Sequence, residues 1–242
     1  MITKETIDTI HNNIEVQKFL TDTSFICSNN KKGIGVSLVN DGFILKYYIE
    51  LKREHNEFDV KSIIGTKYKF YERLLPFVDF NKHSCLAVGL KITNKGEIQK
   101  YLHFKFKNIK LKSKSYKLKF MDFSKCEYGY SIEYNGKTKR KKYFYFKDRE
   151  SKEYIKKMFN LKVDTNTISH FETYQTQDIL KINIVFDILR EKQITNKFLI
   201  DNNLAHTQPI IDIFNTFFKK EPVYLGIDNK KTISFYYNFN ES

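Results

Sequence analysis

Lys139, Lys141 and Tyr143 occupy alternate positions in the stretch KTKRKKYFYFK. Alternate residues of an extended strand share a face about 7 Å apart, so this spacing sets two ammonium groups and a phenol side by side. Such a row suits an anion with several oxygens, because each oxygen takes a charge-assisted hydrogen bond, and a diphosphate meets that demand. Ammonium groups around one cavity repel each other and lose hydration, which is tolerable when an anion lies between them. Tyrosine faces add a second capacity. Their quadrupoles attract a carbocation, and their bulk keeps out the water that would quench it. Diphosphate release beside a shielded carbocation is the chemistry of prenyl transfer.

The elements that must hold this row come in a repeated plan. Residues 33–52 (GIGVSLVNDGFILKYYIELK), 87–106 (AVGLKITNKGEIQKYLHFKF) and 128–147 (YGYSIEYNGKTKRKKYFYFK) each read as a short strand, an Asn-Asp-Gly, Asn-Lys-Gly or Asn-Gly turn, and a longer aromatic strand. Weaker copies at 169–188 and 223–239 bring the expectation to five hairpins, or ten strands. Helical spacing is expected between most of them. It appears at 4–19, at 59–75, at 149–160 behind an Asp148 cap, at 191–204, and at 207–219 with Pro209 in the first turn. Residues 107–125 alternate Lys with other types and read as an exposed basic connection.

Alternation assigns the strand faces. Residues 45–52 set Leu45, Tyr47, Ile49 and Leu51 against Lys46, Tyr48, Glu50 and Lys52. Residues 139–147 set Arg140, Lys142, Phe144 and Phe146 against Lys139, Lys141, Tyr143, Tyr145 and Lys147. Ile182, Ile184 and Phe186 oppose Lys181, Asn183 and Val185, and the last strand opposes Ile233, Phe235 and Tyr237 to Ser234 and Tyr236. Each greasy face needs a cover, and the helices supply one. The expected fold is therefore α+β: a ten-stranded antiparallel β-barrel of αββα-like repeats, helices outside, with a polar ligand-binding lumen. A sandwich, with greasy faces together and Lys and Tyr in water, is the competing arrangement.

Bulk composition narrows the partners without choosing one. The 242 residues are expected to form a single domain, 1–242, with 41% hydrophobic residues to build a core. No apolar run approaches a membrane span and the N-terminus shows no signal region, so the expectation is a soluble, cytoplasmic protein without a membrane partner. Cys27, Cys85 and Cys126 form no paired motif, and the six histidines are scattered. A net charge of +14 draws anions, be they nucleic acid, anionic lipid or a diphosphate. Phosphate-loop, dinucleotide-binding, zinc-protease and serine-hydrolase motifs are absent from the sequence.

Taken with those repeats, the chain resembles the aromatic prenyltransferases of the αββα (ABBA) barrel type, whose five repeats surround a lumenal site. The segment KTKRKKYFYFKDRESKEYIKKMFNL resembles the third repeat, where the family sets Lys or Arg and Tyr against the diphosphate; Lys139, Lys141 and Tyr143 match. The resemblance implies the same role for Tyr174 and Lys181 of the fourth repeat and for Tyr236 of the closing strand. In the second repeat, where the family often shows Lys-x-Tyr, this chain has Gln99 and Tyr101, so one phosphate cation is missing there. In the first repeat Lys46 stands where some members hold magnesium through an Asp. The implied reaction therefore needs no cofactor, magnesium being compatible but not required.

The activity so implied is transfer of a dimethylallyl or geranyl group from its diphosphate to an electron-rich aromatic small molecule or peptide side chain, by a monomer. Glu50, Glu133 and His103 are the candidate proton acceptors, and Tyr48, Gln99, Tyr101, Asn183 and Ser234 join His103 as the further lumenal lining. Two rivals stay open. One is a basic nucleic-acid-binding module that uses 107–125, although nucleic acid is the less expected partner; the other is a barrel that binds a ligand without catalysis.

Overall fold

A computed structural model describes residues 2–24, 31–39, 42–51, 83–106, 127–134, 138–175, 180–186, 191–228 and 232–239. The expected helix at 59–75 and the basic connection at 107–125 lie outside these residues. Ten strands are described: β1 (Lys31–Val39), β2 (Gly42–Leu51), β3 (His83–Thr93), β4 (Ile98–Phe106), β5 (Glu127–Tyr134), β6 (Thr138–Phe146), β7 (Ile168–Gln175), β8 (Leu180–Phe186), β9 (Tyr224–Asp228) and β10 (Ile233–Asn238). The helices are α1 (Lys4–His11), α2 (Ile14–Ser24), α3 (Arg149–Met158), α4 (Glu191–Asp201) and α5 (Gln208–Phe218).

The protein is mixed α+β, and its sheet is antiparallel throughout. Each strand pairs with its sequence neighbours, and β1 pairs with β2 on one side and β10 on the other, so the pairings return to their starting strand. Turn chemistry explains the local steps. Between β3 and β4, Gly96 adopts φ +82°, which only glycine takes without strain, while Thr93 Oγ1 accepts from the amides of Lys95 and Glu97 at 3.3 and 3.1 Å. At the β9–β10 end, Asp228 Oδ1 accepts from the Thr232 amide at 2.8 Å.

The greasy faces of β2 and β10 pack against helices. Phe43, Leu45, Tyr47, Ile49, Phe235 and Tyr237 join Ile7, Ile10, Val16, Phe19 and Phe214 in one buried cluster. Phe214 of α5 sets its ring 5.4 Å from Phe43 and 5.5 Å from Phe235, both edge-on. The two tyrosines on this face each satisfy their hydroxyl: Tyr47 with His11 Nδ1 at 2.9 Å, and Tyr237 by donating to Asn215 Oδ1 at 2.8 Å. The helices are placed by their caps. Asp148 Oδ1 accepts from the Ser151 amide at 2.8 Å to open α3, and Pro209 sits in the first turn of α5.

One expectation needs correction. Residues 4–19 do not form a single helix: the chain breaks at Asn12 and Asn13, where Asn13 Oδ1 accepts from the Glu15 amide at 3.0 Å and starts α2. Asparagine side chains compete for backbone groups in this way. The new helix phase turns Ile14 outward, 80% exposed, although its spacing suggests burial. Among the described residues no helix is long and apolar enough to cross a membrane.

The His11–Tyr47 bond makes stability depend on pH. Burial lowers the His11 pKa, with Asp8 partly opposing, and burial pushes the Tyr47 phenol up, so the neutral pair is the native form. A histidine depressed in the folded state gives stability that is full above its unfolded value, about 6.5, and is lost as pH falls through the folded value. Urea midpoints should therefore drop between pH 7.5 and 5.5, and His11→Gln should flatten that drop. An equal drop in the variant would assign it to other groups.

Candidate functional site

With helices on the greasy side, the opposite strand faces look into the ring. Three tyrosines on this inner face lie across glycines of the neighbouring strand. A Cβ on Gly33 would stand 2.1 Å from the Tyr48 ring, one on Gly35 2.6 Å from the Tyr236 ring, and one on Gly89 2.1 Å from the Tyr101 ring. The glycines leave room for the rings to lie along the wall, so aromatic faces line the interior.

Two of those rings carry an ammonium group. Lys46 Nζ lies 5.1 Å from the Tyr236 ring centre and donates to its hydroxyl at 3.2 Å. Lys91 Nζ lies 4.9 Å from the Tyr101 ring centre, and the Tyr101 hydroxyl donates to the Tyr47 carbonyl at 3.5 Å. Lys46 and Lys91 are register partners, and Lys91 is in turn opposite Gln99. Like charges directly opposite on one face destabilise a sheet. Here each lysine leans on a different ring, Lys46 across β1 toward β10 and Lys91 toward β4, and cation–π attraction offsets the loss of water.

Lys91 is the residue that sequence reasoning missed. The second repeat seemed to lack a phosphate cation because its second strand offers Gln99 and Tyr101. The cation stands instead on the first strand of the hairpin, β3, where Ala87, Gly89 and Lys91 alternate with buried Val88, Leu90 and Ile92. That alternation in AVGLKIT was the available signal.

A second group forms on β4, β5 and β6. His103 Nε2 and the Tyr145 hydroxyl are 2.8 Å apart, the Tyr143 ring meets His103 edge-on at 4.7 Å, and Ser131 Oγ donates to the Tyr143 hydroxyl at 3.4 Å. Ser131 and Tyr145 are both buried. The side chains of Glu133, Lys139, Lys141, Tyr174 and Lys181 lie outside the described residues, but their register positions are known. Tyr143, Tyr174, Lys181 and Asp228 occupy one row across β6 to β9. Lys139 is opposite Glu133, itself opposite Tyr101, and Lys141 is opposite Ser131.

The other expected lining residues fall on the same face. Tyr48 lies between Gly33 and Gly89, and Glu50 between Lys31 and Ala87. Ser234 is fully buried and hydrogen-bonded to Ser37, its register partner, and Asn183 is buried opposite Glu172 and Gly226. The structure thus brings together Lys46 with Tyr236 and His103 with Tyr143, through contacts between distant parts of the chain. Strand direction alternates, so the last residues of β1, β3, β5, β7 and β9 and the first residues of β2, β4, β6, β8 and β10 lie at one end of the sheet. Lys46, Lys91, Lys139 and Lys181 all fall in the half nearer that end.

Among the described residues no cluster of three or more His, Cys, Asp and Glu is arranged to hold a metal ion. Compared with known proteins, the chain matches no family model and no curated sequence.

Proposed function

We propose that this protein is an aromatic prenyltransferase built as five αββα-like repeats around a ligand-binding lumen. In this reading the inner face holds a prenyl diphosphate in the half that carries Lys46, Lys91, Lys139 and Lys181. The observation that carries it is the Lys46–Lys91 register pair, with each ammonium resting on a tyrosine face that a glycine makes room for. Two cations held apart in this way can both turn toward an anion placed between them, and a diphosphate offers each its own phosphate group. Lys139, Lys141 and Lys181 extend the same cationic half of the wall, with Tyr143 and Tyr174 as phenol donors.

The chemistry follows from where charge develops. The carbon–oxygen bond of the allylic diphosphate breaks, the electron pair leaves with the pyrophosphate, and the lysines stabilise that growing negative charge. Once their ammonium groups have moved to phosphate, the faces of Tyr101 and Tyr236 are free to shield the allylic cation. An electron-rich ring then captures the cation. Lysine charge does the work of a divalent metal in this scheme, so chelator should leave the rate within about twofold.

Incubation with dimethylallyl or geranyl diphosphate and a panel of phenols and indoles tests the reading. It predicts a product heavier than its acceptor by one prenyl group, with one pyrophosphate released per product. Absence of product across the panel, with salt-sensitive oligonucleotide binding that prenyl diphosphates do not block, would support the nucleic-acid alternative instead.

A further inference from the structure

Lys46 and Tyr236 meet over Gly35. They come from β2 and β10, the strands on either side of β1, and each is a register partner of that glycine. A Cβ on Gly35 would stand 2.6 Å from the Tyr236 ring and 3.5 Å from Lys46 Cδ, so the missing side chain is what lets the lysine stem cross to the ring. The ammonium ends 5.1 Å from the ring centre and 3.2 Å from the hydroxyl. On the far side Tyr224 of β9, the register partner of Tyr236, sets its own ring 6.0 Å away at 56°. Lys46, Tyr236 and Tyr224 all keep partial solvent exposure, whereas Phe235 and Tyr237, on the opposite face of β10, are buried completely. The Tyr236 ring is thus a cation seat that solvent reaches, and the cation seated there is the protein's own.

We infer that Tyr236, with Tyr224 beside it, is a subsite for an organic cation such as a quaternary ammonium, and that Lys46 occupies this seat until a bound diphosphate draws it away. For the anion the inference rests on the prenyl-transfer reading above. It adds a property which that reading does not require: the wall binds an anion and an organic cation with positive cooperativity.

The exchange follows from the relative strength of the contacts. Lys46 is a point charge on a long flexible stem, and a phosphate oxygen offers it a charge-assisted hydrogen bond, a stronger contact than the face and hydroxyl of a neutral phenol. Lys91, its register partner, brings a second positive charge into the same row, which favours an anion shared between the two. Once Lys46 turns to phosphate, the Tyr236 face presents its quadrupole to another cation. A seat held by a tethered group binds a free competitor more weakly, in proportion to the fraction of time the seat is open. The anion raises that fraction. Linkage then requires the organic cation to tighten the anion by the same factor.

Calorimetric titration of wild type with pyrophosphate and with allyltrimethylammonium, each alone and with the other saturating, tests the exchange. Each ligand should tighten the other by about tenfold, the same factor in both directions. Lys46→Ala should bind the ammonium on the order of tenfold more tightly than wild type when no pyrophosphate is present, because its seat is already open. Lys46→Met, which keeps the aliphatic stem, repeats that comparison if the alanine variant loses its fold. Tyr236→Leu should lose the ammonium response that pyrophosphate induces in wild type. Direct ion pairing between the two ligands would also give cooperativity in wild type, but it would leave Lys46→Ala no tighter toward the ammonium alone. That result would overturn the inference, as would pyrophosphate binding that leaves ammonium affinity unchanged. A wild type that binds neither pyrophosphate nor a prenyl diphosphate would overturn it together with the reading it rests on.

Discussion

Replacing Lys46 and Lys91 together by Met should lower affinity for a prenyl diphosphate by on the order of 100-fold or more, without weakening the free protein. The first half follows from the worth of hydrogen bonds to charged groups, about 1.5–3 kcal/mol each, which need not add fully across two neighbours. The second half follows from register. Lys46 and Lys91 are paired like charges on one face, so their removal relieves a repulsion while Met keeps the aliphatic bulk. Calorimetric titration and a urea melt on the same sample separate the two effects. Affinity equal to wild type would remove the pair from the site. A large loss of folding stability would show that the lysines serve the fold.

Gly89→Ala should destabilise the fold by about 1–3 kcal/mol, the usual cost of forcing a methyl group into filled space. The added Cβ would stand 2.1 Å from the Tyr101 ring, and the ring must swing off the wall. That motion takes away its hydrogen bond to the Tyr47 carbonyl and the face on which Lys91 rests. Adding Tyr101→Ala should recover part of the loss, because the clash then has no partner. A double-mutant cycle in urea should show coupling of about 1 kcal/mol or more. Simple additivity would mean that ring and glycine do not meet.

How much of this was legible in the sequence depends on the range of the contact. Hairpins declared themselves through local turn chemistry, and Asn94-Lys95-Gly96 behaves as its residue types require. Strand faces were equally readable, since alternation in FILKYYIEL separates the buried Phe43, Leu45, Tyr47 and Ile49 from the inner-face Lys46 and Tyr48. The break at Asn12–Asn13 was not readable from periodicity, because Ile14 keeps helical spacing from Ile10 across the interruption.

The site itself was legible as a list and not as an arrangement. Lys46 reaches Tyr236 across 190 residues of chain, and His103 reaches Tyr145 across 42. No spacing rule encodes such pairs, since they depend on strand order and register. Lys91 was illegible for a different reason: the family pattern falls on the second strand of this hairpin, and the cation stands on the first.

The claim that the inner face accepts a diphosphate is tested most directly by melting the wild-type protein with a non-hydrolysable prenyl diphosphate. Ligand at 100 times its dissociation constant stabilises a fold by about 2.7 kcal/mol, which for a chain of this size is a rise of roughly 5–10 °C. The account predicts such a rise with the prenyl diphosphate and a smaller one with pyrophosphate alone. A melting temperature unchanged at saturating ligand would contradict it.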